Sequence, residues 1–360
     1  MTNSIYIHIP FCKSICSYCD FCKFYYNSDL VDKYLDCLKR EITQKYKNEI
    51  IETLYIGGGS PSSLSINQLN KLFSITDDIQ KHDNIEFTIE CNVTDITLEK
   101  LELFKKHKVN RISIGVQSFD TDVLAFLERN YTKTDIIKCI NLVKKYFDNI
   151  NIDLIYAVCN EDLNILKRDI ELFLDLGVPH ISTYSLMIED NTILGIKKVL
   201  PISEDVDRDM YETIENILTH HDYIHYEISN YAYPGYESKH NMTYWKNQQY
   251  YGFGINASGY ADGYRYTNTK NVNKYLLGNY VQEKELITPE IDASNYAILG
   301  LRTLNGVNKE LFIKKFDIDF IKYFNIEKLL EENIILETEK SYYLNPKYWY
   351  ISNEILIKFV

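Results

Sequence analysis

Between Ile5 and His220 the chain alternates short apolar runs with longer segments whose apolar residues recur every three or four positions. The runs predict strands and the recurrence predicts helices with one buried face. The strands fall at Ile5–Ile9, Thr53–Ile56, Ile85–Glu90, Arg111–Val116, Ile150–Tyr156 and His180–Leu186. Helices are predicted over Asp29–Tyr46, from about Ser65, and over Thr97–His107, Thr121–Leu127, Thr134–Tyr146, Asp162–Leu176 and Glu204–His220. In the first helix Asp29 is the expected cap, and Leu30, Tyr34, Leu35, Leu38 and Ile42 share a face. Strands separated by helices run parallel with right-handed crossovers. Six units fall short of the eight of a closed barrel. The expected α/β fold over residues 1–222 is a partial (β/α)6 TIM-like barrel whose open side admits a large substrate.

Past residue 222 the rhythm changes. Tyr226–Tyr231 reads as one more strand, and 234–260, rich in Gly, Tyr and Asn without a period, reads as a long functional loop within a connecting region of 223–290. From Asp292 the pattern is helical, then come two strand-like runs (IILET, SYYLN) and a terminal helix from about Ser352. This predicts a smaller C-terminal α+β, winged-helix-like domain over 291–360, suited to a lid or docking role.

Composition narrows the partners. A hydrophobic content of 45% supports a real core, and a net charge of −12 argues against a nucleic-acid footprint. No charge-free apolar run reaches membrane-spanning length and no signal pattern opens the chain, so a soluble cytoplasmic protein is expected. Four of the eight cysteines crowd into positions 12, 16, 19 and 22; Cys37, Cys91, Cys139 and Cys159 lie in apolar or periodic segments and read as small buried hydrophobes. A disulfide framework is not expected, consistent with a reducing compartment.

The candidate chemistry gathers at strand ends, where parallel barrels place functional groups. After Pro10, Cys12, Cys16 and Cys19 form a C-x3-C-x2-C triplet. Three thiolates on one loop close around an iron–sulfur cube and leave one iron open for chemistry. A zinc site usually brings a second pair of ligands, and no second C-x2-C pair follows downstream. Cys22 either ligates the fourth iron or sits close by; the need for an open iron favours a non-ligand. Gly57-Gly58-Gly59-Ser60-Pro61 is either a turn or a stretch of bare backbone that a ligand can approach. Its N–H groups suit a phosphate; without the Lys-Ser/Thr of a P-loop, a carboxylate or amino group is the better guest. Glu90, Gln117, Arg129 and Asp153 are singly ordinary capping or solvated residues. On one rim they offer acceptors for an ammonium and ribose hydroxyls and a cation for a carboxylate. Farther on, His240-Asn241-Met242-Thr243-Tyr244-Trp245 reads either as an axial ligand to heme iron over an aromatic platform or as a surface loop pinned by aromatics.

The Tyr6–Cys22 stretch, YIHIPFCKSICSYCDFC, resembles the radical S-adenosylmethionine (SAM) superfamily. The wider chain resembles its oxygen-independent coproporphyrinogen III oxidase-like branch, specifically the HemW-type heme chaperones, through GGGSPSSL, NRISIGVQSFD, NINIDLIY, HISTYSL, YEISNY, HNMTYW and LGLRTLNGV. The resemblance implies a radical SAM barrel in which Cys12, Cys16 and Cys19 bind a [4Fe–4S] cluster and SAM chelates the fourth iron. Tyr6, Gly58, Gly59, Glu90, Gln117, Arg129 and Asp153 match SAM-contacting positions, and His240 is the candidate heme contact. A reduced cluster in this superfamily passes one electron to the sulfonium, giving methionine and a 5′-deoxyadenosyl radical. The implied partners are heme, a heme-accepting respiratory protein and an electron donor such as flavodoxin or ferredoxin, with peripheral membrane association and no nucleic acid.

Two points favour the chaperone over the oxidases: five residues precede Tyr6 where the oxidases carry an N-terminal extension, and their additional cysteine lies one position before Cys22. Other positions depart from the family. Glu128-Arg129-Asn130-Tyr131 stands in place of Gly-Arg-x-His, Ala157-Val158-Cys159 in place of Gly-Leu-Pro, and Ala257-Ser258-Gly259 in place of Ala-His-Ser. The alternatives are therefore oxidative decarboxylation of coproporphyrinogen III, or radical SAM chemistry on another substrate.

Overall fold

The computed structural model describes residues 2–360. Six parallel strands form its centre: β1 (Ser4–Ile9), β2 (Ile51–Gly58), β3 (Lys81–Asn92), β4 (Arg111–Gln117), β5 (Asn149–Tyr156) and β6 (His180–Ser185). Each expected strand is present, five of them longer by one to six residues and the sixth, His180–Ser185, one residue shorter. The expected helices are present too, with sharper ends. Helix Ser28–Lys45 is capped by Asn27, whose side chain accepts from Leu30 N–H, and not by Asp29, which lies in its first turn. Ser65 and Gln68 form a reciprocal capping box on the next helix, and Gly177, left-handed at φ 58°, ends helix Leu163–Leu176. Ile5, Ile7 and Ile9 of β1 and Val31, Leu35 and Leu38 of the first helix are fully buried, so the parallel sheet is covered as βαβ packing requires.

The sheet then grows at both edges. Strands β7 (Ile224–Glu227) and β8 (Asn230–Ala232) add antiparallel beside β6, splitting the single strand expected at Tyr226–Tyr231. Strand β9 (Tyr251–Phe253) adds parallel beside β1, giving a nine-stranded sheet in the order β9-β1-β2-β3-β4-β5-β6-β8-β7.

Segment 234–260 is therefore not a long loop. It holds helix Lys239–Trp245, strand β9 and the first strand of an antiparallel sheet made of Ser258–Ala261, Tyr264–Asn268 and Val281–Leu286. Two buried carboxylates order it where no hydrophobic period does. Glu86 of β3 accepts the backbone N–H groups of Lys239 and His240, at the positive end of their helix. Glu41 of the first helix accepts from Gly254 N–H, Tyr275 hydroxyl, Asn268 amide and Lys45. The C-terminal residues carry helices and a three-stranded sheet of Val307–Asn308, Ile335–Glu337 and Ser341–Leu344, one strand more than the expected hairpin. They meet the far edge of the main sheet: Thr303 bridges to Glu227, and Trp349 packs edge-on against His225 at 4.5 Å.

Candidate active site

At Pro10 the chain leaves β1 and loops out. Phe11–Cys12 pairs in parallel with Phe24–Tyr25, so the cysteine loop is closed on itself at its base. His8 stiffens that base. Its Nε2–H donates to the carbonyl of Cys22 at 3.0 Å, leaving Nδ1 to accept the Tyr6 hydroxyl at 2.9 Å. Burial lowers the His8 pKa to about 4, so the ring is neutral and the tautomer follows from the carbonyl it serves. Cys12, Cys16 and Cys19 line one cavity of about 900 Å³, whereas Cys22 is not part of its wall. Among the described residues no three His, Cys, Asp or Glu side chains converge as they would on a single metal ion. Burial pushes the Cys12 thiol up to about 12, so a thiolate there requires positive charge beside it.

The glycines after β2 have a reason that the sequence did not disclose. A Cβ on Gly59 would lie 2.9 Å from Cys12 Sγ, and one on Gly58 (φ 117°) would lie 2.6 Å from His8 Nδ1. Bare backbone here lets the cysteine loop and β2 touch, and Gly58 and Gly59 also face the cavity. Glu90, at the end of β3, accepts Gly58 N–H on one oxygen (2.9 Å) and the Tyr55 hydroxyl on the other (2.8 Å). Burial, helped by the charge of Asp153, raises its pKa to about 7.

The remaining rim residues come together as expected. Asp153, on β5, accepts from Asn151 at 2.7 Å and faces the same cavity, its pKa raised by burial. Gln117 ends β4 in a left-handed conformation (φ 71°), a strained turn of the kind that marks functional rims. Arg129 donates to Asn92 Oδ1 at 3.2 Å and to the Tyr18 hydroxyl, and its Nε is buried without a partner. Burial disfavours the Arg129 charge, and Tyr18 and its other neighbours more than offset that, so its pKa is raised. Tyr18 lies inside the cysteine triplet, so this cation is fixed to the loop itself.

Two expected site residues lie elsewhere. Tyr6 is not on the cavity wall; its hydroxyl serves His8. The other is His240. It sits in the first turn of helix Lys239–Trp245, 1% exposed, with Nδ1 bonded to Thr53 Oγ1 at 2.8 Å and Nε2 to the Tyr244 hydroxyl at 2.7 Å. Its ring stacks on Tyr55 at 5.1 Å, and burial lowers its pKa to about 3. Both nitrogens are thus engaged inside the protein, and His240 is not on the cavity wall. Instead Asn241 and Trp245, four residues apart on the adjoining face, line the cavity. Helical spacing within HNMTYW was the signal available for them. Arg302, Trp349 and Tyr350, from the C-terminal part, also line it; Arg302 falls within the LGLRTLNGV segment, and Trp349 and Tyr350 carried no sequence signal.

The donor set fits the expected groups. Three thiols on one wall suit a cluster. Two acids and a guanidinium with an unpartnered Nε suit an ammonium, ribose hydroxyls and a carboxylate. A parallel partial barrel with this cysteine triplet at the end of its first strand defines a radical SAM protein, and the Radical SAM superfamily model matches residues 6–181. Along its length the chain is 38% identical to the heme chaperone HemW of Lactococcus lactis (99% of this chain, 97% of that one), 35% identical to that of Bacillus subtilis (99% of both), and 31% identical to that of Escherichia coli (86% and 85%). This chain belongs to the HemW family. Its fold is that of the Escherichia coli coproporphyrinogen III oxidase HemN, a radical SAM enzyme, at a TM-score of 0.85 over 99% of this chain and 89% of that one with 21% identity.

Proposed function

We propose that this protein is a cytoplasmic heme chaperone that holds a [4Fe–4S] cluster, SAM and heme and passes heme to a respiratory enzyme. The observation that carries the reading is the full-length relationship to heme chaperones, and the cavity supports it. At about 900 Å³ the cavity lies near the top of the roughly 300–1,000 Å³ range of small-molecule sites. Its wall runs from the cysteines to the C-terminal residues. In this reading residues 1–222 are the barrel, 223–290 connect it, and 291–360 act as a lid over the second guest. No described helix is long and apolar enough to cross a membrane.

Cys12, Cys16 and Cys19 hold the cluster, and Cys22 stays free with its carbonyl clamped by His8. Glu90 and Asp153 take the hydroxyls and ammonium of SAM, Arg129 its carboxylate, and Gln117, Gly58 and Gly59 shape the floor. When bound, the cluster and SAM supply one-electron chemistry at a sulfonium, with flavodoxin or ferredoxin as the electron source. Asn241 and Trp245 replace His240 as the heme contacts on the HNMTYW helix, with Trp245 offering an aromatic face.

Heme titration of the cluster-loaded protein, followed by absorption, tests the proposal, with an anaerobic assay containing SAM, a reductant and coproporphyrinogen III beside it. Stoichiometric heme binding without decarboxylated product is expected. Product formation at enzymatic rates would overturn the chaperone reading in favour of the oxidase.

A further inference from the structure

The cavity wall carries four cations: Lys23, Arg111, Arg129 and Arg302. Lys23 is spent on the carbonyl of Cys19, and Arg129 is tied to Tyr18 and Asn92 beside the cluster loop. Arg111 lies at the start of β4, within the barrel. Arg302 alone comes from beyond the barrel, after helix Pro289–Gly300, and it enters at the sheet edge opposite β1.

Its surroundings are unusual for a surface arginine. One nitrogen donates to Asn353 Oδ1 at 2.6 Å, and no carboxylate lies within 4.0 Å of the guanidinium among the described residues. A guanidinium has five donors, so most of its fork is unspent. Burial lowers its pKa, which marks a partly desolvated cation short of counter-charge. The acid at this end, Asp207, does not supply that charge: one oxygen accepts from Ser185 at 2.9 Å, and the other is buried without a partner. The aromatic groups of Trp349 and Tyr350, on the same wall, have already used their polar atoms. Trp349 N–H donates to the carbonyl of Leu344 at 3.2 Å, and the Tyr350 hydroxyl donates to that of Glu204 at 3.2 Å. Trp349 is 1% exposed and only backs the wall, so the ring surface offered to the cavity is that of the partly exposed Tyr350. The open mouth adds exposed Phe21 and Met187.

We infer that Arg302, steadied by Asn353, is the anchor for a carboxylate carried by a large, flat, mainly apolar ligand lying along Tyr350. A fork with most of its donors unspent matches a carboxylate in charge and geometry. SAM does not need this anchor, because Arg129 stands beside the cysteine loop for its carboxylate. On the proposed heme reading, on which this inference rests, the group held is a heme propionate. The C-terminal residues are then part of the binding site itself, and the ligand ties them to the barrel.

The test compares heme with heme dimethyl ester, which keeps the ring and iron but has no free carboxylate. Each is titrated into the cluster-loaded wild type, Arg302→Gln and Arg302→Lys. The wild type should prefer heme, and Arg302→Gln should weaken heme binding by about tenfold or more, as expected for a lost charge-assisted pair. The same variant should bind the ester as the wild type does, and Arg302→Lys should recover part of the heme affinity. If the wild type binds heme and the ester equally, or if Arg302→Gln weakens both alike, the anchor is wrong while heme binding stands. If the wild type binds no heme, the chaperone reading fails and the anchor with it. An unchanged thermal midpoint in Arg302→Gln shows that the loss belongs to the ligand and not to the fold.

Discussion

The cysteine loop and the HNMTYW helix both carry motif residues, and the two regions use them in opposite ways. In the loop, the three motif cysteines face the cavity, and the flanking His8 holds the base by binding the carbonyl of Cys22. In the helix, the motif histidine is the packed member, clamped between Thr53 and Tyr244, and its neighbours Asn241 and Trp245 reach the cavity. A histidine in a recognisable motif is thus a scaffold in both places. What distinguishes a ligand from a support is the fate of its polar atoms: His240 has both nitrogens satisfied, whereas Arg129 Nε is left without a partner.

The sharpest break of this comparison is at the cysteines. Cys16→Ala should lose the cluster entirely, with iron and sulfide at background after anaerobic reconstitution, while Cys22→Ala keeps about the full complement. Retention in the first or loss in the second would reverse the assignment of faces.

Next in size is the helix. His240→Ala removes two buried hydrogen bonds and a stacked ring, and should cost about 3 kcal/mol in a denaturant titration. Trp245→Ala should shift that midpoint little and weaken heme binding. If His240→Ala left stability intact yet abolished heme binding, the histidine would be a ligand after all.

A smaller effect concerns Glu90. Its folded pKa of about 7 lies above the ordinary carboxylate value, so below pH 7 it is protonated and loses its charge toward an ammonium. SAM affinity should therefore fall by about tenfold from pH 8 to pH 6, the change in the ionised fraction of a group titrating near 7. Calorimetry across this range checks it, and Glu90→Gln should bind weakly with a flat profile.

The smallest concerns the turn after β5. Ala157 holds φ 62° where the family's glycine would be unstrained, although Glu161 steadies the turn by accepting Val158 N–H at 3.0 Å. Ala157→Gly should gain about 1 kcal/mol, the relief of a left-handed alanine less the extra flexibility of glycine. An unchanged or lower denaturation midpoint would show that the turn carries no such strain.

The barrel was legible because its strands and helices bury apolar residues at regular spacing, and the cluster site because three cysteines at close intervals leave few other readings. Glu90 and Gln117 could be placed on one rim since they lie at or near the ends of their strands, whereas Asp153 lies in mid-strand and Arg129 follows the helix after β4, so only the fold brings them to the same cavity. The region after 234 was not legible as structure, because Glu41 and Glu86 order it through backbone N–H groups and single polar side chains, which leave no period in the sequence. The packing of His240 was not legible for a related reason: a motif gives residue types, and the direction in which a side chain points depends on the helix that carries it. Arg302 and Trp349 reach the cavity only through tertiary packing; LGLRTLNGV marks the segment that holds Arg302, but no local pattern places it against the barrel.

One contact joins the two ends of the barrel. The backbone N–H of Leu194, in the segment that follows β6, donates to the carbonyl of Ser17 in the middle of the cysteine loop at 3.1 Å. That amide is thereby a built-in reporter. Its exchange with deuterated solvent requires the clasp to open, so its rate measures how often the open side of the barrel parts from the loop. Loading the cluster stiffens one half of the clasp, and slowed exchange at Leu194 would register that event from across the mouth, without any probe attached to the metal.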